Sequence, residues 1–367
     1  MKILILAQTP PPLHGQSIML QHLVNAKWNW CEKQFIRLNF SRSIEEVGNF
    51  GIRKIIKAIS VILRVLKIRL FGQIDILFYP PSGPNKIPFY RDFLLLFFIR
   101  RLARKIIFQF HAGGFDLLLN KLNSSEKFLA LKVYKMPEAT IVLSSNQKSE
   151  IEWIKSKEIY IVPNGIEDHY SNSSLTRRTL KIIKILTVGI ISETKGILIS
   201  IETARILKEN NYKFMWNFIG DFQSTKLKQE IESKIVKYGL KEFVNFPGSF
   251  FGKEKFSFYS NADLFCFPSF DIEAMPLVIL EAMMMSLPIV TTNWRGIPDI
   301  IENKKNGLLV PIKDSIKLAE VIEKLINDRE LRNELAINAR KKYLNEFTIE
   351  RHLKRMEEAF KDVAYNN

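Results

Sequence analysis

Short apolar runs alternate with amphipathic stretches along the whole chain. Residues 2–7, 75–79, 105–110, 140–143 and 159–162 are runs of strand length, and a stretch with helical periodicity starts near Gln16. Residues 168–179 are polar and rich in Ser and Asn, the composition of a linker. The rhythm then resumes with strand-like runs at 182–188, 214–219, 243–246, 262–267, 289–291 and 308–310, and residues 314–362 read as helical throughout. Strands alternating with helices in both halves predict an α/β protein of two Rossmann-like, doubly wound domains. A length of 367 residues suits two domains that each bury a core. No internal repeat or low-complexity tract interrupts the pattern.

The most informative stretch is 268–299, PSFDIEAMPLVILEAMMMSLPIVTTNWRGIPD. It reads as strand end, loop, helix, strand and loop. Pro276 suits the first helical position, where its fixed φ fits and its missing N–H would be unpaired anyway. The amides of Leu277 and Val278 then stand at the positive end of the helix dipole, a ready anion site. Glu273 precedes this helix and Glu281 lies inside it, among residues so apolar that the helix must be buried nearly all round. A buried Glu is costly unless paired or bound. Alone, Glu281 reads as a carboxylate satisfied by a neighbouring backbone or Arg, and Glu273 as a solvated residue favoured by the dipole. Together, around a Pro-started helix, they point to a ligand with phosphates and hydroxyls.

Glu273, seven intervening residues and Glu281, with Gly296-Ile297-Pro298-Asp299 downstream, resemble the retaining glycosyltransferases of family four, which have the GT-B fold. The resemblance implies two Rossmann-like domains facing a cleft, residues 1–170 and 180–345, with a last helix near 346–367 packing back on the first. It implies that Glu273 contacts a donor sugar, Glu281 holds ribose hydroxyls, and the amides between them take a diphosphate. Donor contacts are then expected at Gly15, Gly189, Lys195, Glu273, Met275, Leu277, Val278 and Glu281, with His111, Lys195 and Glu273 closest to the chemistry. Retention by front-face attack, no metal and no cofactor beyond the nucleotide sugar are further implications; the chain shows no Asp-x-Asp pair to hold a metal. The family commonly has Gly-Arg at the strand end and Lys six residues after the Gly. Here Lys195 is six after Gly189, but Ile190 stands at the Arg position, and Arg295 is the nearest compensating candidate. A Lys at a helix start opposes the dipole, which a bound diphosphate would offset.

In the first half, Gly15 lies between strand and helix, where open α/β sheets bind ligands. The loop has one glycine fewer than the family usually carries. The run 105–110 leads straight into His111-Ala112-Gly113-Gly114, and a His at the carboxyl end of a parallel strand is placed to meet a ligand. A histidine merely hydrogen-bonded in its loop is the plain alternative. The family has a His here beside the sugar. Asp116 is a weaker candidate. Pro163-Asn164-Gly165 resembles the segment closing the family's first domain.

Composition adds a partner. The chain is 47% hydrophobic and 25% charged, as globular proteins are, with a formal net charge of +16. Residues 51–108 hold twelve Lys or Arg against Asp75 and Asp92. That excess calls for an anionic partner. Residues 52–70 form a basic amphipathic helix with Ile52, Ile55, Ile56, Ile59, Ile62 and Leu66 on one face and Arg53, Lys57 and Arg64 opposite. A second such segment, RDFLLLFFIRRLARK, shifts the reading from an ordinary surface helix to a membrane surface. Aromatic residues do not alternate with basic ones as stacking platforms, which argues against nucleic acid. Cys31 and Cys266 lack metal-ligand spacing and read as free thiols in a reducing compartment. No apolar run is long enough to cross a bilayer. The expectation is a cytoplasmic enzyme, peripheral on the inner face of the cytoplasmic membrane, acting on a polyprenyl-linked saccharide in surface polysaccharide synthesis. Two alternatives are a nucleotide-sugar epimerase of the same architecture and a non-catalytic, lipid-binding relative degenerate at Ile190.

Overall fold

The structure is a computed structural model that describes residues 1–12, 14–38, 40, 52–170 and 182–365. The expected linker lies outside these residues beyond Tyr170. The chain divides into two compact units, Met1–Gly165 with Glu350–Asn367, and Ile166–Ile349.

The first unit contains β1 (Lys2–Ala7), α1 (Gly15–Asn25), β2 (Glu32–Arg37), α2 (Ile52–Leu70), β3 (Ile74–Tyr79), α3 (Lys86–Ile99), β4 (Ala103–Phe110), α4 (Phe115–Lys121), α5 (Ser124–Tyr134), β5 (Ala139–Val142), α6 (Asn146–Glu150) and β6 (Glu158–Ile161). The second contains β7 (Ile183–Val188), α7 (Ile197–Glu209), β8 (Phe214–Ile219), α8 (Thr225–Tyr238), β9 (Val244–Gly248), α9 (Gly252–Asn261), β10 (Leu264–Phe267), α10 (Leu277–Met284), β11 (Ile289–Thr292), α11 (Ile297–Ile300), β12 (Leu308–Val310), α12 (Ser315–Asn327) and α13 (Arg329–Glu346). A last helix, α14 (Ile349–Tyr365), follows; its Met356, Phe360 and Val363 pack with Ile3, Ile5 and Phe78 in the first unit.

Both sheets have six strands and every pairing is parallel. Strands covered by helices on both faces read as apolar runs, which is why most stood out in the sequence; β2, EKQFIR, lies at the sheet edge and was not expected. The first sheet has the order β2-β1-β3-β4-β5-β6 and the second β12-β11-β10-β7-β8-β9. In the second the order reverses between β7 and β10, and ligands of such sheets bind outside the strand ends at that switch point. Each unit is thus a doubly wound α/β domain on a parallel sheet.

Two sequence expectations need correction. Residues 314–362 are not helical throughout. Asp328 is extended and caps the start of α13, its side chain accepting from the Leu331 amide at 2.8 Å. A second break comes at Phe347 and Thr348, where the backbone pairs with Ile166 instead. Pro276 is not the first helical residue but the extended residue before it, with ψ 117°, so Leu277 opens α10.

α2 is more apolar than its packing requires. Its core-facing stripe is Ala58, Val61, Ile62 and Val65. Of the expected apolar face only Ile62 is buried; Ile52, Ile55, Ile56, Ile59 and Leu66 are exposed, together with Leu63 and Leu70. The helix is apolar on two faces, and only one is used by the fold.

Candidate active site

The second unit's site is built at the ends of β7 and β10. After β7 the chain passes Gly189, at φ +138° with open space where a side chain would stand, and Ile190, which is 53% exposed. It then turns through residues 192–196, where the Ser192 hydroxyl accepts from the Lys195 amide at 3.2 Å. Gly196 caps α7 at φ +85°, and a Cβ there would stand 2.2 Å from the Pro268 carbonyl oxygen. Only glycine admits that approach. The loop after β10 is stitched to the same turn, the Phe270 amide donating to the Thr194 carbonyl at 2.8 Å.

These two turns bring Lys195, Asp271 and Glu273 together. The Lys195 ammonium donates to Glu273 Oε1 and stands 3.2 Å from Asp271 Oδ2, with the Phe267 ring 5.7 Å away. Burial works against the charged lysine, but the Glu273 and Asp271 carboxylates outweigh it and raise its pKa. Lys195 is therefore not an uncompensated cation, as its place before a helix suggested. Two carboxylates already neutralise it. Beside it lies a narrow recess lined by Val188, Gly189, Ser192, Lys195, Phe218 and Phe267.

Leu277 and Val278 are half-buried, and their amides have no acceptor among the described residues. Met275 is buried. Glu281 is buried and paired, in a way the sequence did not reveal. Its Oε1 accepts from Lys255 at 2.5 Å and its Oε2 from the Tyr259 hydroxyl at 2.8 Å, both partners standing on α9. Burial first, and then the Glu281 carboxylate, hold the Tyr259 hydroxyl protonated by raising its pKa. Arg295 has φ +49° and stacks on the Trp294 ring at 5.6 Å.

In the first unit, Gly15 is the first residue of α1, which His14 caps by accepting from the Ser17 amide at 3.3 Å. His111 follows β4 directly. The Gln147 amide group straddles it, donating to the carbonyls of Phe110 at 3.4 Å and Ala112 at 2.9 Å. Glu150, one turn along α6, accepts from the Gly114 amide at 2.5 Å. Two buried side chains thus fix the backbone on both sides of His111. Its own ring nitrogens are buried and have no hydrogen-bond partner among the described residues. Burial, reinforced by His352 and His14, lowers its pKa to about 3. The imidazole is neutral at ordinary pH and can donate one hydrogen bond and accept another. His352, which contacts the Pro163 carbonyl at 2.7 Å, is likewise lowered, to about 4, chiefly by burial. Asp116 lies in the first turn of α4.

The structure thus brings Lys195 and Glu273 into contact in the second unit, while Gly15 and His111 belong to the first. Sequence reasoning missed Asp271, although it lies two residues before Glu273. It also missed Lys255, Tyr259, Gln147 and Glu150, for which only distant pairing gives a signal. Among the described residues no group of three or more His, Cys, Asp or Glu could hold a metal ion.

The family model for glycosyl transferases, group 1, matches residues 176–342, which hold every second-unit site residue named above. The amylovoran biosynthesis glycosyltransferase AmsK of Erwinia amylovora is 27% identical over 260 residues, covering 66% of this chain and 63% of that protein. A Campylobacter jejuni N-acetylgalactosaminyltransferase, named for its action on GalNAc-alpha-(1->4)-GalNAc-alpha-(1->3)-diNAcBac-PP-undecaprenol, is 30% identical over 222 residues, 59% of this chain and 58% of that one. The chain thus spans less than two thirds of these relatives' lengths. Among solved structures, Anabaena HepE in complex with UDP and glucose matches with a TM-score of 0.74 at 18% identity, covering 99% of this chain and 100% of that one. Sucrose-phosphate synthase from Thermosynechococcus elongatus matches at 0.75 and 16% identity, covering 99% of each. At such identities the likeness is one of fold.

Proposed function

We propose, on the premise that residues 176–342 belong to the group 1 glycosyl transferases, that the protein moves a sugar from a nucleotide diphosphate sugar to an acceptor hydroxyl with retention of configuration. The observation that carries this reading is the cluster at the β7–β10 switch point, a lysine held by two carboxylates beside an open glycine turn. The bond from sugar to phosphate breaks, and the diphosphate leaves with the electron pair. Lys195, the Leu277 and Val278 amides and the α10 dipole stabilise the charge that develops there. Glu273 orients the sugar, Glu281 accepts from the ribose, and neutral His111 hydrogen-bonds a sugar hydroxyl. The acceptor oxygen attacks from the face the diphosphate leaves, and its proton passes to the departing phosphate. No metal takes part.

The acceptor in this reading is a polyprenyl-linked saccharide of a surface polysaccharide, met at the cytoplasmic face of an anionic membrane. What supports it is α2. Ile52, Ile56, Ile59, Leu63, Leu66 and Leu70 form an exposed stripe along its whole length, from 73% exposed at Ile52 to 83% at Leu70. Arg53, Lys54, Lys57, Arg64, Lys67 and Arg69 accompany them, and the helix has no acidic residue. α3 packs against both α2 and α5 and adds exposed Phe97 and Phe98, while α5 adds Phe128. A second copy laid on this stripe would set six cations against six; anionic headgroups neutralise them. No described helix is long and apolar enough to cross a membrane.

The test is to incubate the protein with a panel of nucleotide sugars, with and without lipid-linked acceptor, and follow released nucleotide and the anomeric configuration of the product. Release that depends on acceptor, with a retained anomer, is the expected result. Release of no nucleotide from any donor, or conversion of a donor without acceptor, overturns it.

A further inference from the structure

Lys195 sits between two carboxylates, yet the proposed ligand needs it for a diphosphate. Nothing at the turn shares that task, because the position after Gly189 is Ile190. Lys195 with Asp271 and Glu273 carries one positive charge against two negative ones. A diphosphate approaching this group meets net repulsion unless it draws the ammonium off the carboxylates.

What happens to the carboxylates then depends on the ligand. An intact nucleotide sugar brings phosphate oxygens for Lys195 and hydroxyls that donate to Asp271 and Glu273. The free nucleoside diphosphate left after transfer brings the oxygens and more charge, but no sugar hydroxyls. It strands both carboxylates beside it, and an anion deprived of its partner in a half-buried site is costly. Asp271 is built for this exchange. Its amide donates to Ser269 Oγ at 3.2 Å, its carbonyl accepts from Trp294 Nε1 at 2.9 Å, and its Oδ1 accepts from the Ile272 amide at 2.9 Å. The backbone and one oxygen are pinned, while Oδ2 faces Lys195.

We infer that Asp271 makes this site favour the intact nucleotide sugar over the free nucleoside diphosphate, limiting inhibition by the product. The inference rests on the function proposed above. Glu273 contributes to the same balance but also orients the sugar for transfer, whereas Asp271 can give way to a neutral group that still accepts a hydroxyl, so Asp271 is the residue through which discrimination can be altered on its own.

The test compares wild type with Asp271→Asn, which keeps the Oδ1 acceptor and removes the charge, and with Asp271→Ser as a second variant. Thermal melting establishes that both are folded. Calorimetry then gives dissociation constants for UDP, GDP and ADP and for UDP-glucose, GDP-mannose and ADP-glucose. For the base the protein prefers, the nucleoside diphosphate should bind about tenfold tighter to the variants, the scale of one partly screened charge beside a phosphate. The nucleotide sugar should change by about twofold or less, so the ratio of the two constants narrows. An unmoved ratio, or weaker diphosphate binding in both variants, overturns the role of Asp271. A wild type that binds none of the six overturns the nucleotide-sugar reading itself, and this inference falls with it.

Discussion

Replacing Glu281 by Ala tests whether this carboxylate serves a ligand or only the fold. The substitution leaves the Tyr259 hydroxyl, wholly buried, with only a 3.4 Å contact to the Val278 carbonyl. It also leaves Lys255 without its ion-pair partner. Losing the tyrosine's acceptor costs about 1–3 kcal/mol. The lysine costs less than the 3–5 kcal/mol typical of a broken buried pair, because its side chain is 22% exposed and can turn to water. A total of about 3 kcal/mol lowers the melting temperature of a unit this size by about 6–12 °C. That loss follows from the structure whatever Glu281 does for ligands. The informative quantity is nucleotide affinity measured well below the melt, by calorimetry with UDP, GDP and ADP. If the ribose donates to Glu281, affinity for the preferred nucleotide falls by about 1–3 kcal/mol, about fivefold to more than a hundredfold. A melting temperature that falls while affinity stays unchanged refutes the ribose assignment and leaves Glu281 as a structural anchor between α9 and α10.

Lys195→Ala should lower turnover about a hundredfold or more, the size of losing one transition-state donor, while Arg295→Ala should do little; the opposite ranking in initial rates shows that Arg295 carries the diphosphate. His111 and His352 have folded pKa values of about 3 and about 4, below the ordinary 6.5. The unfolded chain therefore binds more protons than the folded one between pH 6.5 and 4, so stability falls as pH drops through that window. The slope is about 1.4 kcal/mol per pH unit for each histidine, and His352→Gln should flatten urea titrations read across pH 7 to 4.5; an unchanged slope refutes the assignment. Leu63→Asp, at an exposed position of α2, should leave the melting temperature unmoved and reduce co-sedimentation with anionic vesicles. Binding of wild type should weaken in salt, since each cation near such a surface adds about 1 kcal/mol within a Debye length; equal sedimentation of variant and wild type removes α2 from the membrane reading.

Most strands were legible because a parallel strand buried on both faces is apolar from end to end, and Leu264–Phe267 can hardly be anything else; the edge strand Glu32–Arg37, EKQFIR, carries no such signal and was missed. The position of His111 was legible for a related reason, since an apolar run that gives way to His-Ala-Gly-Gly puts the histidine at the carboxyl end of a parallel strand. What supports His111 was not. Gln147 lies two helices and a strand further along the chain, and its grip on two carbonyls depends on the β4–β5 pairing. The same holds for Glu281, whose partners stand on the preceding helix. Periodicity could not divide α2 because two adjacent stripes are apolar there; it measures how apolar a face is and is silent on which one meets the core. Asp271 was overlooked because reading carboxylates by spacing along a helix gives no weight to a loop that doubles back on a lysine.

The contact between Gly196 and Pro268 has a consequence for how this site could change over generations. The lysine's turn and the carboxylates' loop touch backbone to backbone, and Gly220 meets Gly189 as closely, a Cβ there falling 1.9 Å from the Gly189 carbonyl oxygen. Their separation is thus set by the thickness of the polypeptide itself. Mutation has no side chain at these seams to enlarge or trim, so the spacing behaves like a fixed gauge. Variation in what the site accepts must then come from the residues mounted on the gauge, Ile190, Asp271 and Arg295 among them, while the distance it measures passes unaltered from ancestor to descendant.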